Sequence, residues 1–460
     1  MLRGARPLAL FLSAATFLAT LVCGAHGAHA GATLQAQLTS SAGVTDNVAS
    51  APSNPPAGTL GPEAAAVFTV TPGLILTTGT PRAVQRFTYL FNGIFYAPHS
   101  EADTYTNSLS WVGFFLPTKK LTMGTNFLIS EGRQSSFNNT IASSSTVALV
   151  QPAAVLDLLT VSGGETLAWE LARRVRLVES LNFMESWYID HLPLQGISQN
   201  IPGRVGIEYS FAHDIVGVDL NVAYTDFLAQ RGPVTQPDGS VDPNGVVTPA
   251  QKQLAVTPLA RWRRDFSYFV NVRAELGAIV VFDPTRVQNK NIEPAGSVGI
   301  NFLSRLATVD LSYAHGLTPS LLLGENFFTD TVALRLNVLF GERSKWSASA
   351  GVSYSYDRQV DLTSTAVQAT GHAILGDVTL NYAAWKFLSF FARYQGQDQI
   401  GHASDPLPIE TLHRDTFLVG LTALYPEAAA AEVPANVIGV RADGRDDGAI
   451  TSSKSSNPQP

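Results

Sequence analysis

Residues 329–357 alternate between apolar and polar side chains. Val332, Leu334, Leu336, Val338 and Phe340 share one face, opposite Arg335 and Asn337. After Gly341-Glu342-Arg343, the residues Trp346, Ala348, Ala350, Val352, Tyr354 and Tyr356 alternate with Ser347, Ser349, Gly351, Ser353 and Ser355. A period of two puts successive side chains on opposite faces of a strand, one greasy and one wet. The pattern recurs. Val216, Val218, Leu220, Val222 and Tyr224 oppose Asp219, Asn221 and Thr225. Val270, Val272, Ala274, Leu276 and Ala278 oppose Asn271, Arg273, Glu275 and Gly277. Val309, Leu311 and Tyr313 oppose Asp310 and Ser312. Residues 175–188 fit poorly, because Glu179 and Glu185 fall on the face of Leu177, Leu181 and Phe183.

Short turns alternate with long polar connections. The short ones are Thr80-Pro81, Pro117-Thr118-Lys119, Arg173-Arg174, His213-Asp214, Arg264-Asp265, Ser304-Arg305, Gly341-Glu342-Arg343 and Trp385-Lys386. The long ones span 45–62, 98–103, 133–152, 190–201, 228–248, 283–291, 317–328, 358–369 and 398–408, and hold the residues that break strands. Short turns on one rim and long loops on the other predict an all-β transmembrane antiparallel up-and-down barrel, with the long loops outside the cell. The count is about 18 strands, within a range of about 16–20. Residues 145–161 read equally as a flap, an over-long strand or an extra hairpin. Trp262, Phe340, Trp346, Trp385, Phe387 and Tyr425 flank short turns and predict an aromatic girdle at the periplasmic interface.

Composition narrows the reading. The 460 residues are 45% hydrophobic and 15% charged, with net charge −7. No apolar run after residue 30 reaches the roughly 20 residues of a helical span. No basic tract appears, which argues against nucleic acid as a partner. Residues 1–30 read as an export signal: Arg3 and Arg6, the apolar stretch Leu8 to Val22, then Ala28-His29-Ala30 before Gly31. The single cysteine, Cys23, lies in that segment, and Val22 before it is wrong for lipidation. The expected organisation is a signal peptide over 1–30, a barrel over 31–425 and a disordered periplasmic tail over 426–460 rich in Ala, Pro, Ser and Asp. The location expected is the bacterial outer membrane, in contact with its lipid and lipopolysaccharide.

Leu34-Gln35-Ala36-Gln37-Leu38-Thr39, Thr45-Asp46-Asn47-Val48 and Val70-Thr71-Pro72-Gly73-Leu74-Ile75-Leu76 resemble the opening of a large, poorly characterised group of outer-membrane β-barrel proteins. Some members accompany exopolysaccharide export and exosortase systems. The resemblance implies passage of a polymer, exopolysaccharide above all, with a periplasmic polysaccharide-export protein as partner; it carries no catalytic residue across. The run Phe417-Leu418-Val419-Gly420-Leu421-Thr422-Ala423-Leu424-Tyr425 resembles the signal read by the barrel-insertion machinery, although Leu418 stands where a polar residue is expected. The alternatives are a passive porin for small solutes and a non-transporting structural or adhesive barrel.

Arg204, Glu208, Asp219, Asn221, Arg261, Arg263, Arg273, Glu275, Asp310, Arg335 and Asn337 fall on the wet face and are the expected pore-lining set. They either filter a solute or pair with one another to stiffen the wall. Arg261 and Arg263 share a face and are candidates to hold an anion. No enzyme activity or cofactor is expected. His402-Ala403-Ser404 lacks an orienting carboxylate on a strand. His99, His191, His372 and His413 show no metal-ligand spacing. Thr45-Asp46-Asn47 and Asp357 read as solvated acids rather than calcium ligands. Asn138-Asn139-Thr140 is a coincidental acceptor triplet.

Overall fold

The computed structural model describes residues 31–48, 51, 53, 61–135, 155–189, 195–228, 230–235, 241–248, 251–320, 325–341, 345–360, 370–402 and 411–426. The export signal, all but the first residue of the tail, His191, Ala403, Ser404 and Asn138-Asn139-Thr140 lie outside them. The strands are β1 (Gly31–Thr45), β2 (Ala65–Thr80), β3 (Ala83–Ala97), β4 (Thr104–Thr118), β5 (Leu121–Ser135), β6 (Val155–Ala172) and β7 (Val175–Tyr188). There follow β8 (Gln195–Ser210), β9 (Asp214–Phe227), β10 (Gln230–Thr235), β11 (Val241–Thr248), β12 (Gln251–Ser267), β13 (Val270–Asp283) and β14 (Arg286–Leu303). The last are β15 (Ala307–Ser320), β16 (Glu325–Phe340), β17 (Trp346–Gln359), β18 (Thr370–Trp385), β19 (Leu388–His402) and β20 (Leu412–Tyr425).

Eighteen strands form one antiparallel sheet in chain order. It closes on itself where β1 pairs with β20, from Ala36↔Tyr425 to Thr45↔Thr416. Closure removes the edges that lipid cannot satisfy. Strands β10 and β11 form a separate hairpin inside the connection 228–248. Of the stretch 145–161, residues 155–161 belong to β6, which runs 18 residues and pairs with both neighbours, and 145–154 lie outside the described residues. The turn expected at Arg264-Asp265 falls later, between Ser267 and Val270, because the Arg264↔Val272 and Asp265↔Asn271 pairs extend the ladder and leave Tyr268 and Phe269 exposed at the tip. Connection 283–291 shrinks to a turn between Asp283 and Arg286 for the same reason.

The apolar parity faces out. Val218 on β9 and Leu276, Val298, Leu311, Leu334, Val352 and Val378 on β13 to β18 are exposed large hydrophobics, as a lipid-facing band requires. Below it, Phe340 stacks on Trp346 with centroids 6.3 Å apart, Trp346 meets Tyr382 at 4.6 Å, and Trp385 stacks on Phe387 at 6.3 Å. These rings form an aromatic girdle at the short-turn rim. The chain is a transmembrane β-barrel of the outer membrane.

One part of the wall departs from a simple cylinder. β14 and β15 pair only from Leu303↔Thr308 up to Gly296↔His315. Above that level β14 stays on β13 and β15 stays on β16. Phe328 and Leu317, on the nominally outer parity of β16 and β15, pack instead with Ala255, Ile279, Val281 and Ala295, which face inward from β12, β13 and β14. Asn326 donates to Gln253 at 2.7 Å, and Arg358 of β17 reaches Glu293 of β14 at 2.6 Å. The upper part of β15–β17 is therefore tucked inside the upper part of β12–β14, like the overlapped edge of a scroll.

Candidate functional site

The inner wall carries the site. Alternation fixes the parity, and register brings charges on neighbouring strands to one level. Arg176 of β7 bonds Glu208 of β8 through its Nε and a terminal nitrogen, at 2.7 and 2.6 Å. Glu208 also takes Arg261 of β12 at 2.8 Å. Arg261 reaches Asp219 of β9 at 3.1 Å, and Asp219 holds Arg204 of β8 at 3.1 Å. Five alternating charges thus run along four adjacent strands. The Asp219 side chain is 0% exposed and that of Glu208 is 6% exposed, so each carboxylate is paired twice where an unpaired charge would be costly.

Glycines make this possible. Glu208 and Arg261 sit on strands separated by β9, and the residue opposite both is Gly217. A side chain there would stand between them. At Gly206, opposite Asp219, an added Cβ would lie 1.8 Å from the Asp219 Oδ1. Gly299 does the same on β14: Arg273 of β13 reaches across to Asp310 of β15 at 3.7 Å, and a Cβ at Gly299 would meet Arg273 Nε at 2.7 Å.

The rest of the expected set lies on the same inner face. Glu275 accepts from Ser297 at 3.2 Å, Asn337 donates to Thr308 at 3.3 Å, and Asp310 accepts from Asn301 at 3.5 Å. Arg263 lies 3.6 Å from Asp265. Arg335 stands in register with Asp310 and with Gly351. Arg261 already balances two carboxylates, so it is not free to hold an anion with Arg263. Arg204, Asn221 and Glu275 border an internal cavity of about 680 Å³ whose other polar lining is mostly Asn, Ser and Thr.

Toward the long loops the inner face changes. Asn47, Gln253, Asn326, Thr329, Asp357, Gln397 and Gln399 are all buried there. Asp357 accepts from Thr329 at 2.6 Å and Ser355 at 3.0 Å, which fills its oxygens. At the outer rim, Asp46, His413 and Asp415 bring ligand atoms within 4.8 Å of one another. His413 Nδ1 is bonded to Asp398 at 2.6 Å and its Nε2 lies 3.4 Å from Asp415, all half exposed, which is the arrangement of a solvated ion-pair cluster. His372 bonds the Tyr354 hydroxyl at 2.6 Å, and His99 lies between Glu63 and Glu101.

The sequence pattern missed Arg176, the gap glycines and the tuck. Arg176 sat in the segment with poor alternation. Glycines at Gly206, Gly217 and Gly299, each on the wet parity beside charged strands, were the available signal.

No protein-family model matches the chain, and no curated protein matches it. Solved structures share the barrel at low similarity. A ferric enterobactin receptor (PfeA) mutant from Pseudomonas aeruginosa is 8% identical at a TM-score of 0.44, covering 86% of this chain and 81% of that one. OccK2 (OpdF) of Pseudomonas aeruginosa is 10% identical at 0.42, covering 86% and 98%. The ferric-catecholate import receptor Fiu of E. coli K12 is 9% identical at 0.43, covering 85% and 81%. At such scores the architecture rests on this chain's own strand pairing.

Proposed function

We propose that the barrel is a narrowed passage for small polar solutes across the outer membrane, its inner-wall charges guiding what passes. The observation that carries this reading is the cavity of about 680 Å³ inside the closed wall, bordered by Arg204, Asn221 and Glu275. Barrels of 16–18 strands are wide enough for an aqueous channel. The run from Arg176 to Arg204 on its short-turn side is internally paired, which leaves a polar but nearly balanced surface suited to uncharged or zwitterionic solutes. The tuck of β15–β17 narrows the extracellular mouth and favours small solutes over a polymer. Export of exopolysaccharide with a periplasmic partner has only the sequence resemblance behind it.

Proteoliposome swelling tests the reading. Purified protein should admit monosaccharides and slow with increasing sugar size. Absence of swelling with every sugar would leave the non-transporting barrel in its place.

A further inference from the structure

The overlap gives the internal cavity two faces of different origin. Arg204 of β8 and Asn221 of β9 border it from the inner wall. His315 of β15 and Asn326 of β16 border it from the outer-parity face of the tucked strands. Lower on those strands the same parity carries Leu311 and Leu334, exposed to lipid. The change from aliphatic side chains to His and Asn comes where β15 leaves β14, at Gly296↔His315, so the tucked face is built to meet a wet interior. Four polar atoms here are buried with no partner among the described residues: Asn326 Oδ1, Asn221 Oδ1, His315 Nε2 and Arg204 Nε. Asn326 is 0% exposed, and its amide nitrogen is committed to Gln253 at 2.7 Å, which leaves the oxygen over. Asp330 holds His315 Nδ1 at 2.9 Å, so Nε2 is the ring's remaining bonding atom. A buried polar atom without a partner is costly, and several at one cavity mark a place where a polar guest belongs.

We propose that this cavity is a binding subsite for a neutral, polyhydroxylated solute of monosaccharide size, held between Asn326 and His315 on the tucked face and Asn221 and Arg204 on the inner wall. The inference rests on the passage reading and deepens it by naming what binds. The chemistry of the orphaned atoms selects the class. The two amide oxygens only accept, and the Arg204 Nε–H only donates. A carboxylate or phosphate, which accepts alone, leaves both amide oxygens empty. An ammonium, which donates alone, leaves Arg204 Nε empty. A hydroxyl does both, and suits His315 Nε2 in either role. The nearby charges already have partners: Arg204 lies 3.1 Å from Asp219, and Glu275 accepts from Ser297. Leu259, Ile279, Leu317 and Pro319 border the same cavity and offer the C–H face of a sugar ring an apolar surface. The volume of about 680 Å³ falls within the roughly 300–1,000 Å³ of small-molecule sites.

Saturation-transfer NMR on the full barrel in lipid nanodiscs reads binding independently of passage. Glucose should bind saturably. Glycine betaine, small enough to enter but with no N–H or O–H to donate, should not compete with it. Glucosamine should bind no more tightly than glucose. Asn326→Leu should weaken glucose about tenfold, the loss expected from one hydrogen bond. Asn221→Leu, on the inner wall away from the overlap, carries the same expectation and keeps the test if Asn326→Leu does not fold. Equal binding of glucose and betaine, tighter binding of glucosamine, or variants that bind like the parent would overturn the subsite. So would binding by none of the three, which is the result of a cavity that holds water alone. Glucose binding without sugar swelling would retain the subsite and remove the passage. Swelling without binding would retain the passage and remove the subsite.

Discussion

Toward the short turns, the inner wall carries Arg176, Glu208, Arg261, Asp219 and Arg204 in one ion-paired run, with Arg263, Arg273, Asp310 and Arg335 beyond it. Toward the long loops, the same parity carries Gln253, Thr329, Gln397 and Gln399, neutral and buried, with Asp357 and Arg414 buried among them. The lower wall keeps its charges by pairing them across gap glycines. The upper wall closes by neutral hydrogen bonds and by the tucked edge, where Phe328 supplies the packing and Arg358 pairs with Glu293. One lumen therefore has a rigid charged throat and a mouth held by weaker, separable contacts.

The largest effect should come from the throat. Asp219→Ala leaves Arg204 and Arg261 facing each other with no shared counter-charge, and breaking a buried pair in this way costs about 3–5 kcal/mol. Urea unfolding in micelles would show it as a lowered midpoint. At the mouth, Phe328→Ala removes the main apolar contact of the tuck. Loss of a buried Phe costs about 3 kcal/mol or more, here confined to the β15–β17 edge, so global unfolding should move little while amide exchange in 317–328 rises. A global loss equal to that of Asp219→Ala would erase the distinction between the two ends.

The outer face offers a smaller test. Glu165 and Glu179 are exposed on the parity of Leu167, Trp169, Leu177 and Leu181, inside the band that is apolar elsewhere. Replacing both with Leu should stabilise the barrel in bilayers by about 1–2 kcal/mol, since acidic groups on a lipid face cost less than the basic ones. The smallest effect lies in the loop 98–103. A backbone hydrogen bond, and then His99, hold the Glu101 carboxyl below its ordinary value of 4.5. A depressed carboxylate lends its stabilisation above the unfolded value and loses it as pH falls through the folded one. NMR titration should place the Glu101 midpoint below 4.5, and replacing His99 with Ala should raise it.

The strand alternation in 215–226, 267–280 and 329–357 was legible because outward lipid and inward water impose opposite demands on neighbouring residues. The charged wet face was legible too. Its pairing was not, since Glu208 and Arg261 are 53 positions apart in sequence and meet only through register across Gly217. The tuck was hidden for a related reason. Leu317 and Phe328 read as loop residues, and nothing local distinguishes an apolar side chain facing lipid from one folded against Ile279 and Val281. Turn positions slipped where aromatic residues such as Tyr268 and Phe269 cap a hairpin that polar residues had marked lower down.

Single-channel recording in planar bilayers tests the central claim most directly. The parent barrel should open to a small conductance set by its narrowed mouth, and Phe328→Ala combined with Leu317→Ala should enlarge it several-fold. Equal conductance in both, or silence in both, would contradict a passage throttled by its tucked edge.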